Sequence, residues 1–422
     1  LENSQAPVRA VLGPWPHAWP NSASPGPTWE WRDDAAAWWH AHLGDDSSLS
    51  SRYQDNDFRI FVRSGNEPDP SLSQLDGDWY NLPWPVPASD SNQLILYPTA
   101  HNQLVTEEPN SSAAFLTLEG AAGTGIDLGE WWGELLPDMQ ATDAYALVFD
   151  SEPLQTELVV IGKPSVRLMA ASNTNSGNWV VRLEDVGPDG SVALITGGAI
   201  NSQLRHSTAA PETIQANTAI VLSLPLRMTS WTFKPGHKIR VAVSNGAFPM
   251  FWPSPSLTRS ELEVDTTASS ITLPLWQGKD QTAALTMSPG GLSNYLSAEV
   301  IALEPVPGHP SKREVIRDAE ANTISLIRES GASYQLKGAS IQAIRHTRHT
   351  TANTNPANTE YEGWAEYVLE DGREGGPVHY RTEISLVSDA EFFDLDISRI
   401  LSNDAGEIRR QRWQEKIPRG AQ

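Results

Sequence analysis

The sequence predicts a mainly β fold: an antiparallel sandwich at the centre of the chain, one strand–helix unit ahead of it, and a further β region behind it. Three observations carry this. Strand-like runs separated by Asp-Gly and Pro-Gly turns follow one another in quick succession between Leu158 and Leu275. Helical periodicity is confined to the first tenth of the chain. Apolar alternation resumes after residue 287.

Val8 to Leu12 is a short apolar run stopped by Gly13-Pro14, which reads as a buried strand. From Thr28 to Leu43, Trp31, Ala35, Trp38, Trp39 and His42 recur at helical spacing, so these residues predict a helix packed on a sheet, with Gly44 as a left-handed stop. Phe58 to Arg63 alternates as a strand. Beyond it, Leu94 to Tyr97, Phe115 to Leu118 and Ala146 to Phe149 are strand-like runs between Gly, Ser, Asn and Pro clusters. Leu158 to Gly162 leads to Val166 to Ala170, and Trp179 to Val186 turns at Gly187-Pro188-Asp189-Gly190 into Val192 to Ile195. In the last region, Thr323 to Arg328, Tyr334 to Leu336, Trp364 to Leu369, Tyr380 to Leu386, Phe392 to Ile400 and Arg409 to Pro418 predict a second β layer rather than a flexible appendage. The expected division is residues 1–66, 67–286 and 287–422.

Composition narrows the function. In 422 residues, 30 Lys and Arg face 52 Asp and Glu, a formal charge of -22, and there are no basic runs, which argues against nucleic acid or an anionic membrane as partner. Cysteine is absent, so disulfides, thiolate catalysis and Cys-ligated metals are excluded. No apolar run approaches the ~20 residues of a membrane span, and no secretory segment opens the chain. A soluble protein is expected, with the cytoplasm favoured. Leu1 is not a methionine, and the chain reads as one that begins mid-domain.

His17 is the candidate for chemistry. It sits between prolines and tryptophans just past the end of a strand, the edge where α/β enzymes place ligands and catalytic loops. Imidazole suits proton transfer near neutral pH. From the residues alone, a packed histidine is the commoner occupant of such a loop. His237, between a Pro-Gly turn and an alternating strand, is expected to hydrogen-bond a loop carbonyl and to have no catalytic role. His40 and His42 are surface or packing residues, because an i, i+2 pair does not face one site on a helix. His346 and His349 would suit a metal only on a helix; flanking arginines and a Thr/Asn-rich sequel predict a solvated loop instead. Neither a calcium loop nor a phosphate loop occurs, so no cofactor or metal is expected. Asn110-Ser111-Ser112 is a glycosylation tripeptide of the kind that arises by chance.

Several ordered motifs resemble the CocE/NonD hydrolases, the family of cocaine esterase and X-Pro dipeptidyl-peptidases. Gly13-Pro14-Trp15-Pro16-His17, followed by Trp38-Trp39-His40-Ala41-His42-Leu43-Gly44, is similar to the segment around that family's catalytic histidine. Gly77-Asp78-Trp79 and Trp84-Pro85 resemble its exit from the hydrolase domain. Asp150 to Leu154, Gly162-Lys163-Pro164, Pro235-Gly236-His237-Lys238-Ile239-Arg240, Phe248-Pro249 and Trp252-Pro253-Ser254-Pro255 resemble its C-terminal jelly roll, and the closing Ile417-Pro418-Arg419 is similar to the end of longer members.

The resemblance implies the last strand and helix of an α/β-hydrolase domain, a jelly roll that walls the active site, and a C-terminal β extension. It implies His17 as general base and then general acid in cleavage of an ester or a post-proline amide. The elbow motif Gly-x-Ser-x-Gly is absent, and the family's serine and aspartate precede the histidine by distances that fall before Leu1. The chain alone is therefore expected to be inactive, with the missing hydrolase segment as partner and a small acyl ester or peptide as substrate. Two other readings stand beside this one. A non-catalytic sandwich that binds carbohydrate or protein would need no such segment, whereas a half-enzyme working with a separate N-terminal partner would expose apolar surface on the first ~65 residues.

Overall fold

The computed structural model describes residues 8–44, 57–83, 92–291 and 300–420. Leu1 and the Trp84-Pro85 pair lie outside the described residues. Strand β1 (Arg9–Leu12), helix α1 (Trp31–Leu43) and strand β2 (Asp57–Arg63) form a crossover unit in which β1 and β2 run parallel, Arg9 opposite Asp57 and Leu12 opposite Ile60. A parallel pair requires a long connection, and α1 lies within it. Arg9 ties the unit together: Nε and Nη2 each donate to the Asp34 carboxylate of α1 at 2.6 Å, and Nη1 donates to Asp57 at the start of β2. Strand β3 (Gly77–Leu82) pairs antiparallel with β2, so the 66/67 division falls within a single three-stranded sheet.

Two expectations about α1 are corrected. Ala41 is its one buried residue, while Trp39 is 60% and Leu43 78% exposed and His42 also faces solvent. The helix's tryptophans are therefore not all core, because the sheet beneath it is only three strands wide. Gly44 is extended (φ -93°, ψ 171°), not left-handed. It ends the helix by donating its N–H to the His40 carbonyl at 2.8 Å, an approach so close that a Cβ would lie 2.6 Å from that oxygen.

The sandwich is built from β4 (Gln93–Pro98), β5 (Leu104–Val105), β6 (Ala114–Glu119), the short helix α2 (Gln140–Asp143), β7 (Leu147–Asp150), β8 (Leu158–Gly162), β9 (Ser165–Ser172), β10 (Asn178–Val186), β11 (Val192–Asn201), β12 (Ile220–Pro225), β13 (Thr229–Phe233), β14 (Lys238–Ser244), β15 (Arg259–Val264) and β16 (Ser270–Pro274). One sheet has the order β5-β4-β16-β9-β15-β6, with β12 also on β9; the facing sheet has the order β11-β10-β14-β7. Leu168, Leu222, Leu262 and Ile271 from the first meet Trp179, Val181, Leu183 and Val241 from the second in one core. The alternation read from Val166 to Ala170 is the alternation of burial along β9. Strands β8 and β13 pair beside them, and Val159 and Ile161 of β8 pack on Phe58, Ile60 and Tyr80, which joins the crossover unit to the sandwich.

Strand β10 is buried on both faces. Its outward Val180 and Val186 lie under Leu128, Met139 and Ala247, so the segments around residues 120–146 and 247 form a lid over this sheet. The same face carries Arg182 and Glu184, both fully buried. Arg182 donates Nε to Glu184 at 2.7 Å and Nη2 to Asp143 of α2; Arg240 bridges Asp143 at 2.9 Å and Asp150 at 2.7 Å. A buried charge requires a partner, and here the partners fasten the lid to the sheet.

The last region is one eight-stranded sheet of long strands: β17 (Val300–Pro305), β18 (Lys312–Asp318), β19 (Thr323–Leu336), β20 (Ala339–Ala352), β21 (Asn355–Glu370), β22 (Val378–Ser388), β23 (Phe392–Asn403) and β24 (Gly406–Pro418). β17 and β18 both pair with β19, and β19 to β24 form an antiparallel meander. The predicted solvated loop around His346 and His349 is instead the middle of β20. Its polar residues are tolerated because both rings find aromatic partners: His346 stacks on Trp364 at 5.9 Å, and His349 lies 4.7 Å from Tyr361. Burial, with Arg328 adding to it, pushes His349 down to about 4. Ile324 and Leu326 dock the sheet on Ile126 and Phe248 of the sandwich. Arg419, 5% exposed, locks the end by donating to the carbonyls of Pro253 at 2.6 Å and Asp389 at 2.8 Å.

The buried ion cluster gives a pH signature. Burial holds the Glu184 carboxyl up at about 7 against its ordinary 4.5, and Arg182 offsets only part of that. A group raised in the folded state contributes its stability below 4.5 and loses it as pH climbs to about 7. Glu184→Gln is expected to flatten this decline, by at most about 3 kcal/mol, seen as urea midpoints at pH 5 and pH 7 that differ less in the variant than in the parent chain.

Candidate active-site loop

The loop after β1 is held by its tryptophans, and His17 is left free between them. Trp15 folds back over Gly13, where a Cβ would lie 2.5 Å from the indole, so glycine is required there. Its Nε1 donates to the Pro27 carbonyl at 2.7 Å, and its ring stacks on Trp29 at 6.0 Å and packs against Trp79 at 5.7 Å. On the other side, Trp19 stacks on Trp31 of α1 at 5.0 Å, and Trp31 donates to Asn21 at 2.9 Å. The Ala18 N–H closes a tight turn on the Pro16 carbonyl. Aromatic pairs of this geometry each add about 0.5–1.5 kcal/mol beyond burial. The loop is therefore rigid although it is irregular.

His17 is exposed, and its ring lies edge-on to Trp131 at 6.2 Å. Trp131 belongs to the lid over β10, so one aromatic edge of the sandwich lies beside the imidazole. Among the described residues no carboxylate lies within ion-pair distance of His17 and no hydroxyl within hydrogen-bond distance. What the structure presents is a proton-carrying side chain on a fixed loop beyond the C-terminal end of a strand that is parallel to its neighbour.

Two further groups gather near this face. His237 bonds a carboxylate rather than the expected loop carbonyl: its Nδ1 donates to Asp185 at 2.8 Å, while the other Asp185 oxygen accepts Trp231 Nε1 at 2.9 Å. Burial raises the Asp185 carboxyl from its ordinary value although both donors bond its charged form. His237 lines a pocket of about 280 Å³ with Glu67, Asp189 and Lys234. The signal for this pair was in the sequence. Asp185 alternates with the apolar Val181 and Leu183 on one face of its strand, and a buried acid requires a donor. Arg63, at the end of β2, is the second group missed. Its guanidinium lies over the Trp231 ring at 4.6 Å. No signal in the sequence sets it apart from other strand-end arginines.

His346 and His349 lie three residues apart on one strand and so on opposite faces, which rules out joint ligation. Among the described residues, no group of three or more His, Asp or Glu is placed to hold a metal. No helix among them is long and apolar enough to cross a membrane.

Comparison with known proteins adds three findings. Residues 56–291 match the model of the X-Pro dipeptidyl-peptidase C-terminal non-catalytic domain. A putative serine esterase of Mycobacterium bovis is 28% identical over 302 residues, covering 63% of this chain and 45% of that protein. Cocaine esterase of a Rhodococcus species is 30% identical over 105 residues, 25% of this chain and 18% of that protein. The chain thus spans less than half the length of the curated relatives it matches. An aminopeptidase structure from a marine-sediment Thaumarchaeota archaeon shares the fold, with a TM-score of 0.50 and 21% identity over 63% of this chain and 49% of that one. The family match begins beyond His17 and α1, whereas Asp185 and His237 lie inside it.

The rigidity of the loop rests on Trp15. Losing its stack and hydrogen bond is expected to cost the loop roughly 2 kcal/mol. In Trp15→Ala, amide exchange across residues 13–20 should quicken about thirtyfold at that cost, while β10 keeps its protection in the same mass-spectrometric measurement.

Proposed function

The chain belongs to the family of the X-Pro dipeptidyl-peptidase C-terminal domain carried by CocE/NonD hydrolases, and we propose that it is the C-terminal part of such a serine hydrolase, contributing the triad histidine. The observation that carries this is the crossover unit itself: β1, the fixed loop with exposed His17, α1, and a parallel β2. In this reading the unit is the end of an α/β-hydrolase sheet, the sandwich is a jelly roll, and Trp131 brings the jelly roll to the active-site wall.

The serine and the aspartate come from a hydrolase segment ahead of β1. Support comes from the surface around the unit, where Leu12 (39%), Trp19 (67%), Trp39 (60%) and Leu43 (78%) are all exposed. β1 also has a strand neighbour on one side only, among the described residues. An exposed edge flanked by large apolar side chains is what a sheet leaves when its neighbouring strands are absent.

The chemistry follows from those roles. His17 takes the proton of the serine hydroxyl as that oxygen attacks the acyl carbon of an ester or an X-Pro amide, then returns it to the leaving alcohol or amine. In the second half-reaction it takes a proton from water and gives it back to the serine. The chain by itself holds one of the three groups and is inactive, and it needs no cofactor.

p-Nitrophenyl acetate and Ala-Pro p-nitroanilide hydrolysis, measured for this chain and for a form extended upstream, tests the proposal. The extended form should turn over one or both substrates and lose about 10⁴-fold or more in kcat with His17→Ala, and the chain alone should be silent. Activity of the short chain that survives His17→Ala would overturn the assignment and point to a site within the β domains.

A further inference from the structure

Arg63 is out of place in this molecule. The chain carries 52 acidic residues against 30 basic ones, yet no carboxylate lies within 4 Å of this guanidinium among the described residues. Its one hydrogen bond runs from Nη2 to Asn66 Oδ1 at 3.3 Å. Its Nε is buried and makes none. The face of the group rests on the Trp231 ring. Trp231 is itself fixed by Asp185, so the guanidinium plane is held from below.

Arg63 lines a pocket of about 50 Å³ between the loop after β1 and the lid, with Pro14, Asn66, Asp69, Trp132 and Glu134. Both acids in that wall bond groups other than Arg63. Asp69 accepts the Ser71 N–H at 2.8 Å and the Ser71 hydroxyl at 2.6 Å, both through Oδ1. Glu134 accepts the Glu130 N–H at 2.8 Å through one oxygen and Arg328 at 2.8 Å through the other. The pocket therefore has one cationic fork that, among the described residues, no carboxylate of its walls meets. Its volume admits a few waters or one planar acid group, not the body of a larger molecule. Desolvation with no compensating anion lowers Arg63 to about 10, in accord with an unfilled partner position.

We propose that the Arg63 pocket is a subsite for a carboxylate group. A guanidinium presents two parallel N–H donors to the two oxygens of a carboxylate, and Nη1 with the second Nη2 proton is free to do so here. The pocket shares Pro14 with the His17 loop, and Trp132 follows the Trp131 that meets His17. A carboxylate held there belongs to a molecule whose remaining part extends toward the imidazole. That last placement rests on the function proposed for His17; the binding of a carboxylate does not.

Acetate is the probe, with acetamide as its uncharged counterpart of the same shape, titrated into this chain by calorimetry in buffer free of other small acids. The Arg63 Nε resonance in ¹⁵N spectra reports the site directly without any variant. Acetate should bind one to one and shift that resonance, and acetamide should do neither. Arg63→Met should weaken acetate at least tenfold, and Arg63→Lys should fall between, since lysine keeps the charge and loses the fork. Absence of acetate binding, equal binding of acetamide, or unchanged affinity in a folded Arg63→Met would each overturn the proposal. None of these outcomes involves hydrolysis, so failure here leaves the role of His17 standing, and failure of His17→Ala leaves the carboxylate subsite standing.

Discussion

The double burial of β10 organises the molecule. β10 is buried on both faces, so the partners of its buried charged side chains come from within the protein rather than from water. On the outer face, Arg182 pairs with both Glu184 and Asp143, which draws α2 and the lid onto the sheet. On the inner face, Asp185 is satisfied by Trp231 and His237. Trp231 then supports Arg63, and the lid carries Trp131 to His17. The residues with chemical potential are thus one or two contacts away from a single strand that cannot move without exposing a charge.

This arrangement explains how a domain described as non-catalytic in its family can hold the loop that carries His17. Among the described residues, no titratable group of the sandwich bonds His17. The sandwich brings a tryptophan edge and a rigid floor, and both act by fixing position. Positioning is worth as much to a proton-transfer site as the proton carrier itself, because a base must lie within hydrogen-bond reach of the proton it takes. The C-terminal sheet adds a second tie. It docks on the sandwich through Ile324, Leu326 and Phe248, and Arg328 reaches back to Glu130 and Glu134 beside the lid.

Most of the elements were legible. Alternation placed β9 within two residues, because a half-buried pleated strand writes its burial into a period of two, and the Gly-Pro-Asp-Gly turn placed the end of β10 and the start of β11. β11 continues six residues past Ile195, where its legible run ends. β20 was not legible: His346, Thr347, Arg348 and His349 look solvated in sequence, and only the rings of Trp364 and Tyr361 on the next strand make them fit a sheet. The exposure of Trp39 and the extended Gly44 were missed for a related reason. The helix period locates a helix, but how much of its face is covered depends on how many strands lie beneath it, and α1 has few.

By itself the sequence determined the mainly β class of fold, the position of the crossover unit, and the exposed loop after β1 that carries His17, since these follow from local periodicity and turn chemistry. Tertiary structure alone decided that His237 bonds Asp185, fifty-two residues away, and that Arg63 meets no carboxylate among the described residues. Which charge meets which is settled by strand order and register, and these bring together residues far apart in the chain. Local sequence carries no record of that pairing, because the energy that selects it is the burial of whole sheets, not the attraction between any two of the groups it brings together.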